Sequence, residues 1–252
     1  MFDLHGKKAL IVGVANEKSI AWGVAQALRA AGADLAITYL NQKAEPFVRP
    51  LAEALGAGVI APLNVEAPDE ETALFETIHR TWGRLDILVH SIAFAPLGDL
   101  HGRVCDVSAA GFAKAMDVSV HSFIRMVRLA EPLMKGGGGA CLAMSYFGAE
   151  KVVSTYNIMG PVKAALEAVV RELASELGAS GVSVNALSPG PIATRAASGI
   201  DHFDELMQEA VAVAPMKRLA TIEEVGAAAA FLANDSARAI TGSVIHVDCG
   251  RH

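Results

Sequence analysis

Seven short, mainly apolar runs punctuate the chain: Ala9 to Val14, Leu35 to Tyr39, Val59 to Val65, Leu85 to Val89, Ala140 to Met144, Val182 to Leu187 and Val244 to Val247. Between them lie longer segments whose apolar residues recur with the period of a helix. A run that is apolar on consecutive residues, rather than on alternate ones, suits a strand covered by helices on both faces. Strands alternating with helices also need crossover connections, which make neighbouring strands parallel. The expected architecture is an α/β fold with one seven-stranded, doubly wound parallel sheet, spanning residues 1–252 as a single domain. Local signals agree. Ser19 precedes the helical segment opening at Ile20, Thr221 and Glu224 have the spacing of a capping box, and Gly32, Gly56, Gly83 and Gly178 fall where helices should end. Gly136 to Gly139 reads as the loop into the fifth strand.

Hydrophobic residues make up 52% of the chain and charged ones 19%, which provides a large core and excludes a disordered chain. A net charge of -6 without a Lys/Arg cluster argues against nucleic acid as a partner. The longest apolar windows, such as Val225 to Ala233, fall short of the ~18 residues that membrane insertion takes. Lys7 and Lys8 precede an apolar run that passes into a glycine-containing loop without a small-residue cleavage site. It reads as a strand and not as an export signal, so the expected location is cytoplasmic. Cys105, Cys141 and Cys249 have the spacing of neither a disulfide framework nor a zinc site; reduced thiols and no metal are expected.

The first run ends at Gly13, and Gly13-Val-Ala-Asn-Glu-Lys-Ser19-Ile20-Ala-Trp-Gly23 then leads into an Ala-rich helix. Glycine at a strand end lets the backbone approach a pyrophosphate, Ser19 can cap the helix and offer a hydroxyl, and the helix N-terminus favours negative charge. Gly23, one turn in, would permit close packing on the sheet. Such a loop is the phosphate cradle of a Rossmann-type fold, although glycine in this place serves equally as a plain turn. The second strand ends in Tyr39-Leu40-Asn41-Gln42-Lys43, with neither the acidic residue that holds NAD ribose nor an arginine for an NADP phosphate. Lys43 is open to a phosphate or simply to water.

The fifth strand runs into Met144-Ser145-Tyr146-Phe147-Gly148, followed by Tyr156-Asn-Ile-Met-Gly-Pro-Val-Lys163. Tyr156 and Lys163 are seven apart, which on a continuous helix returns them to one face two turns apart. The lysine would then reach a nicotinamide ribose and, as a nearby cation, favour ionisation of the phenol. The strand ends of a parallel sheet form one crevice, so the Gly13 loop, Asn64, Ser91 and Tyr146 should converge there. The alternative is that Tyr156 only packs on a neighbour and Lys163 lies in water.

At these residues the chain resembles the bacterial enoyl-acyl carrier protein reductases of the FabI type, within the short-chain dehydrogenase/reductase superfamily. The resemblance rests on Gly13-Val-Ala with Ser19-Ile20-Ala, His90-Ser91-Ile92-Ala93-Phe94-Ala95, Ser145-Tyr146-Phe147-Gly148-Ala149-Glu150, Tyr156-Asn157-x-Met159-Gly160 with Lys163, and Ser188-Pro189-Gly190-Pro191-Ile192. It runs nearly end to end. Relatives acting on alcohols and ketones usually place Lys four residues after Tyr and Ser about a dozen before it; here those places hold Gly160 and Ala143.

The resemblance implies hydride transfer from NADH, with NADPH less favoured, to the β-carbon of a trans-2-enoyl thioester borne by acyl carrier protein. Tyr156 would hold the enolate oxygen, Tyr146 would line the acyl pocket and assist at the thioester, and Ala95 would meet substrate through its backbone. Lys163 would hold the ribose hydroxyls, and Gly13, Ser19, Ile20, Leu40, Asn64, Val65, Ser91, Ile92, Ile192 and Thr194 would line the dinucleotide site. A substrate loop corresponds roughly to Ala193 to Val213, and a homotetramer through the long fourth and fifth helices is implied. Four positions depart from the family's common residues: Leu40 for Gln, Asn64 for Asp, Ala93 for Gly, and Cys249 for Gly in the Val-Asp-Gly-Gly ending. Arg195, Lys217 and Arg218, flanking the loop, are the candidate cations for an acidic carrier protein. The competing readings are a reductase of another carbonyl or enone and a nucleotide sensor without chemistry.

Overall fold

The computed structural model describes residues 2–153, 156–194 and 203–252. Seven strands, β1 (Lys8–Val12), β2 (Asp34–Tyr39), β3 (Val59–Pro62), β4 (Ile87–His90), β5 (Gly139–Met144), β6 (Val182–Pro189) and β7 (Val244–Val247), form one sheet in the order β3-β2-β1-β4-β5-β6-β7. Every pairing is parallel. The order reverses between β1 and β4, where Val12 lies opposite His90, and this opens the crevice at the strands' carboxyl ends.

Successive residues of each strand feed two different cores. Leu10, Val12, Ala36, Leu88, Cys141, Ala143 and Val184 pack beneath α3 (Pro68–Trp82), α6 (Ser122–Met134) and α7 (Met159–Leu177). Ala9, Ile11, Leu35, Ile37, Val89, Leu142 and Leu187 pack beneath α1 (Ile20–Ala30), α2 (Glu45–Ala54) and α9 (Ile222–Leu232). The remaining helices, α4 (Leu97–Leu100), α5 (Ala109–Met116) and α8 (Phe203–Val213), lie on the side of the strand ends or after β6. Three strands, β1, β3 and β4, are shorter than the apolar runs. Leu63 and Val65 continue past β3 as buried loop, and Asp86, before β4, accepts from the Lys8 N–H and takes the Arg84 guanidinium. No helix among the described residues is long and apolar enough to cross a membrane.

Helix ends follow the residues. Thr221 and Glu224 form the expected capping box, and Gly83 closes α3 in the left-handed region at φ 68°. Gly178 departs from expectation: at φ -56° it stays right-handed, the chain makes one tighter turn, and Gly181, at φ 77°, makes the reversal. Gly23 does not serve contact with the sheet. A Cβ there would stand 2.3 Å from the Ile222 carbonyl oxygen, and one on Gly226 2.3 Å from that of Gly23, so the pair sets the approach of α1 to α9. Gly23→Ala is expected to lower stability by ~1–3 kcal/mol through overpacking. A urea midpoint equal to wild type would mean that the helices part without cost.

Candidate active site

At the end of β1, Gly13 turns at φ +107°, and a Cβ there would fall 2.0 Å from the Ser91 carbonyl oxygen, so β4 and β1 can adjoin here only with glycine. Ser19 occupies the N-cap position of α1 but its side chain does not cap the helix. It turns back into the loop, accepting from the N–H groups of Ala15 (3.0 Å) and Asn16 (2.9 Å) and donating to the Asn16 carbonyl (2.6 Å). The hydroxyl expected to face a ligand is thus used to shape the loop. Trp22 and Gly23 return their N–H groups to the Ser19 carbonyl, which leaves the helix start at Ile20 as the place where an anion meets N–H donors.

Leu40, at the end of β2, is 55% exposed, and the next residue, Asn41, accepts from the N–H groups of Lys43 and Ala44 to build a turn. After β3, Asn64 accepts from the Glu66 N–H, and the Val65 carbonyl is held at 2.6 Å by Arg125, itself paired with Glu71 and Asp117. After β4, Ser119 accepts from the Phe94 N–H (3.0 Å) and donates to the Phe94 carbonyl (3.2 Å), fixing the segment that carries Ile92 and Ala95. Ser119 belongs to a single widened π-helical turn, Asp117–His121. Just beyond it, Ser122 donates to the Val118 carbonyl and so accepts from His90 Nε2 at 2.7 Å, leaving His90 Nδ1 buried and unpartnered. Burial, aided by Lys163, lowers the His90 pKa to about 3, so the ring is neutral. Ser119 and Ser122 were missed by the sequence reading, since two serines inside an apolar helical pattern carry no signal of the wider turn.

Tyr156 does not sit on the helix that carries Lys163. It lies in the turn before α7, where Asn157 takes the left-handed region at φ 41°, and α7 starts at Met159. Two glycines allow this turn to lie under the loop after β5. A Cβ on Gly148 would be 2.5 Å from Tyr156 Cδ1, and one on Gly160 would be 3.0 Å from the Gly148 carbonyl oxygen. The rings of Tyr146 and Tyr156 meet edge to face with centroids 4.7 Å apart. Tyr156 is buried and Tyr146 half-buried, and the Tyr146 hydroxyl has no hydrogen-bond partner.

Lys163 is buried, and its Nζ donates to the Met144 carbonyl at 2.5 Å. Burial lowers its pKa to about 8 against an opposing pull from Glu167, a buried carboxylate that accepts from the Ser145 hydroxyl. The Tyr156 phenol is not activated by the lysine, contrary to expectation. Burial, with Tyr146 adding to it, drives its pKa up, which keeps it a proton donor at neutral pH.

After β6, the Thr194 N–H donates to the Ile192 carbonyl at 2.8 Å. Of the expected substrate loop, Ala193 and Thr194 follow β6, residues 195–202, with Arg195, lie outside the described residues, and the remainder is α8, Phe203–Val213. Of the candidate docking cations, Arg218 is already paired with Glu224 through both terminal nitrogens, while Lys217 donates to the Ala212 carbonyl. The chain's tail folds back on β7, with Cys249 at φ 60° and Asp248 accepting from the N–H groups of Gly250 and His252. His246, Asp248 and His252 offer ligand atoms within 4.8 Å of one another. The two imidazoles, however, are stacked at 3.9 Å and 10°, so their in-plane lone pairs do not converge on one ion, and the cluster is a clasp for the tail.

The sheet order, the glycine turn at its switch point and a buried tyrosine and lysine at the start of α7, beside the end of β5, define a nicotinamide-dependent reductase of the short-chain dehydrogenase/reductase superfamily. The family profile described as enoyl-(acyl carrier protein) reductase matches residues 13–252. The NADH enoyl-acyl-carrier-protein reductase FabI of Aquifex aeolicus is 48% identical over 99% of this chain and 92% of its own, and that of a Nostoc species is 47% identical over 99% and 98%. A crystal structure of the Aquifex aeolicus reductase superposes with a TM-score of 0.95, covering 99% of this chain and 98% of that one. That of the Anaplasma phagocytophilum reductase in complex with NAD does so with the same score at 44% identity, covering 99% and 95%. The chain belongs to the enoyl-acyl-carrier-protein reductases of the FabI type.

Proposed function

We infer that this chain reduces the trans-2 double bond of an acyl chain carried as a thioester on acyl carrier protein, using NADH, in fatty acid elongation. The observation that carries this reading is Tyr156, a phenol kept protonated by burial and set against Tyr146 at the end of β5. NADH, when bound, supplies a hydride to the β-carbon. The charge that then develops on the thioester oxygen is met by the Tyr156 O–H, an interaction stronger in the transition state than in the ground state. Tyr146 lines the acyl pocket and Ala95 meets the substrate through its backbone.

The chain's residues fit a dinucleotide. The turn at Gly13 and the start of α1 at Ile20 form the pyrophosphate site, with Ser19 shaping it, and Leu40, Asn64 and Val65 border the adenosine end. Ser91, Ile92, Ile192 and Thr194 border the nicotinamide end, where Lys163 holds the ribose hydroxyls. NADH is favoured over NADPH because the described cations near the end of β2 give a 2′-phosphate only Lys43; Arg49 is committed to Glu45. The enzyme works in the cytoplasm as a single-domain subunit of a homotetramer. Leu129 and Leu133 on α6 and Ala165 and Val169 on α7 are only partly buried in the subunit and offer apolar surface for that assembly.

The test is nicotinamide oxidation with crotonyl and 2-dodecenoyl thioesters, NADH against NADPH, with an acetoacetyl thioester as control. Turnover of both enoyl substrates, faster with NADH and absent with acetoacetyl, is expected. Acetoacetyl reduction would point to a keto reductase, and NADH binding without any turnover to a sensor.

A further inference from the structure

The tail after β7 reaches the candidate site through one side chain. Asp248, almost fully buried, ties the tail down through the N–H groups of Gly250 and His252, and His252 stacks on His246. Arg251, between them, is thereby turned inward, with its guanidinium carbon 4.8 Å from the centre of the Phe147 ring. Two polar atoms in this corner are buried without a hydrogen-bond partner: Nη1 of Arg251 and the hydroxyl of Tyr146, the neighbour of Phe147. No carboxylate among the described residues forms an ion pair with Arg251, so its charge is free to act on what lies beside it.

We propose that Arg251 is a positioning residue for the enoyl reduction, standing behind the Tyr146 hydroxyl and turning its proton toward the substrate thioester. A phenol beside a fixed cation presents its oxygen lone pairs to the cation and its hydrogen away from it. The hydrogen then faces the Tyr156 side of the site, where the thioester oxygen is to be held. The electrostatics agree: burial raises the Tyr146 pKa and Arg251 opposes the rise. The inference rests on the reading that Tyr146 assists at the thioester, and it adds a residue that acts through Tyr146.

The experiment compares NADH-dependent turnover of 2-dodecenoyl thioester by wild type, Arg251→Met, Arg251→Lys, Tyr146→Phe and the double variant Tyr146→Phe/Arg251→Met. Arg251→Met is expected to lower kcat about tenfold, the scale of one hydrogen bond from Tyr146 to the substrate oxygen, with the KM for NADH unchanged. Arg251→Lys should recover part of the loss, and the double variant should turn over no slower than Tyr146→Phe alone. An ultraviolet titration of the phenols should show a step that moves to higher pH in Arg251→Met and is missing in Tyr146→Phe. An unchanged kcat in Arg251→Met, or an equal loss with and without Tyr146, overturns the proposal while leaving the role of Tyr146 intact. Wild-type kcat in Tyr146→Phe would overturn both. Should Arg251→Met fold poorly, full activity in folded Arg251→Gln would overturn it equally.

Discussion

Tyr156→Phe is expected to lower kcat for a 2-enoyl thioester roughly 10²–10³-fold, the usual cost of removing one donor from an oxyanion site, with NADH affinity unchanged. The phenyl ring keeps the packing: Gly148 still lies over it and the Tyr146 ring still meets its edge. Only the hydroxyl is lost, and in its proposed role it contributes where charge appears on the substrate oxygen and little before. The loss should therefore fall on kcat, with the KM for the thioester moving much less. Because burial drives the Tyr156 pKa up, no fall in rate from ionisation of this phenol should occur as the pH rises toward 10, the ordinary tyrosine value. A variant that retained wild-type kcat would remove Tyr156 from the chemistry.

The sheet was legible because burial on both faces writes itself as near-continuous apolar sequence, and six of the seven strands lie within two residues of the runs. The third strand stops three residues short, since Leu63 and Val65 are apolar for a different reason: they plug the sheet's end as loop. The tyrosine and lysine were found as a pair, but their relation was not. Their spacing suited one helix face, whereas a left-handed Asn157 separates them. Pro161 was the available signal, because proline is accepted in the first turn of a helix and not in its interior, which puts the helix start close to Met159. Ser19 illustrates the opposite limit. Its position before α1 was read correctly, but the direction of its hydroxyl depends on two loop N–H groups that spacing does not locate. The charge logic at Lys163 failed for a related reason: the lysine is directed to the Met144 carbonyl, and the phenol is governed by burial, with Tyr146 adding to it.

Lys163→Met should cost activity and gain stability, and pH separates the two effects. The lysine's pKa falls from 10.5 to about 8 on folding. Below about pH 8 the ammonium is charged in both folded and unfolded chains, so the folded state carries the whole cost of burying it, ~3 kcal/mol for a shift of that size. Between about 8 and 10.5 the folded protein has released the proton and the unfolded chain has not, so wild-type stability rises with pH through that window. Methionine fills much the same space without charge, and leaves the Met144 carbonyl short of one donor at ~1 kcal/mol. The variant should thus be ~1–2 kcal/mol more stable than wild type at pH 7 and should lose that advantage by pH 10. Turnover should fall at every pH, together with NADH affinity, if the side chain has the proposed role of holding the ribose. Wild-type kcat/KM should decline as pH passes about 8, where the ammonium discharges, and Lys163→Met should lack that inflection. Thermal melts at the two pH values decide the matter: a variant less stable than wild type at pH 7 would mean that Lys163 holds the fold together through Met144, and that its burial is no concession to the reaction.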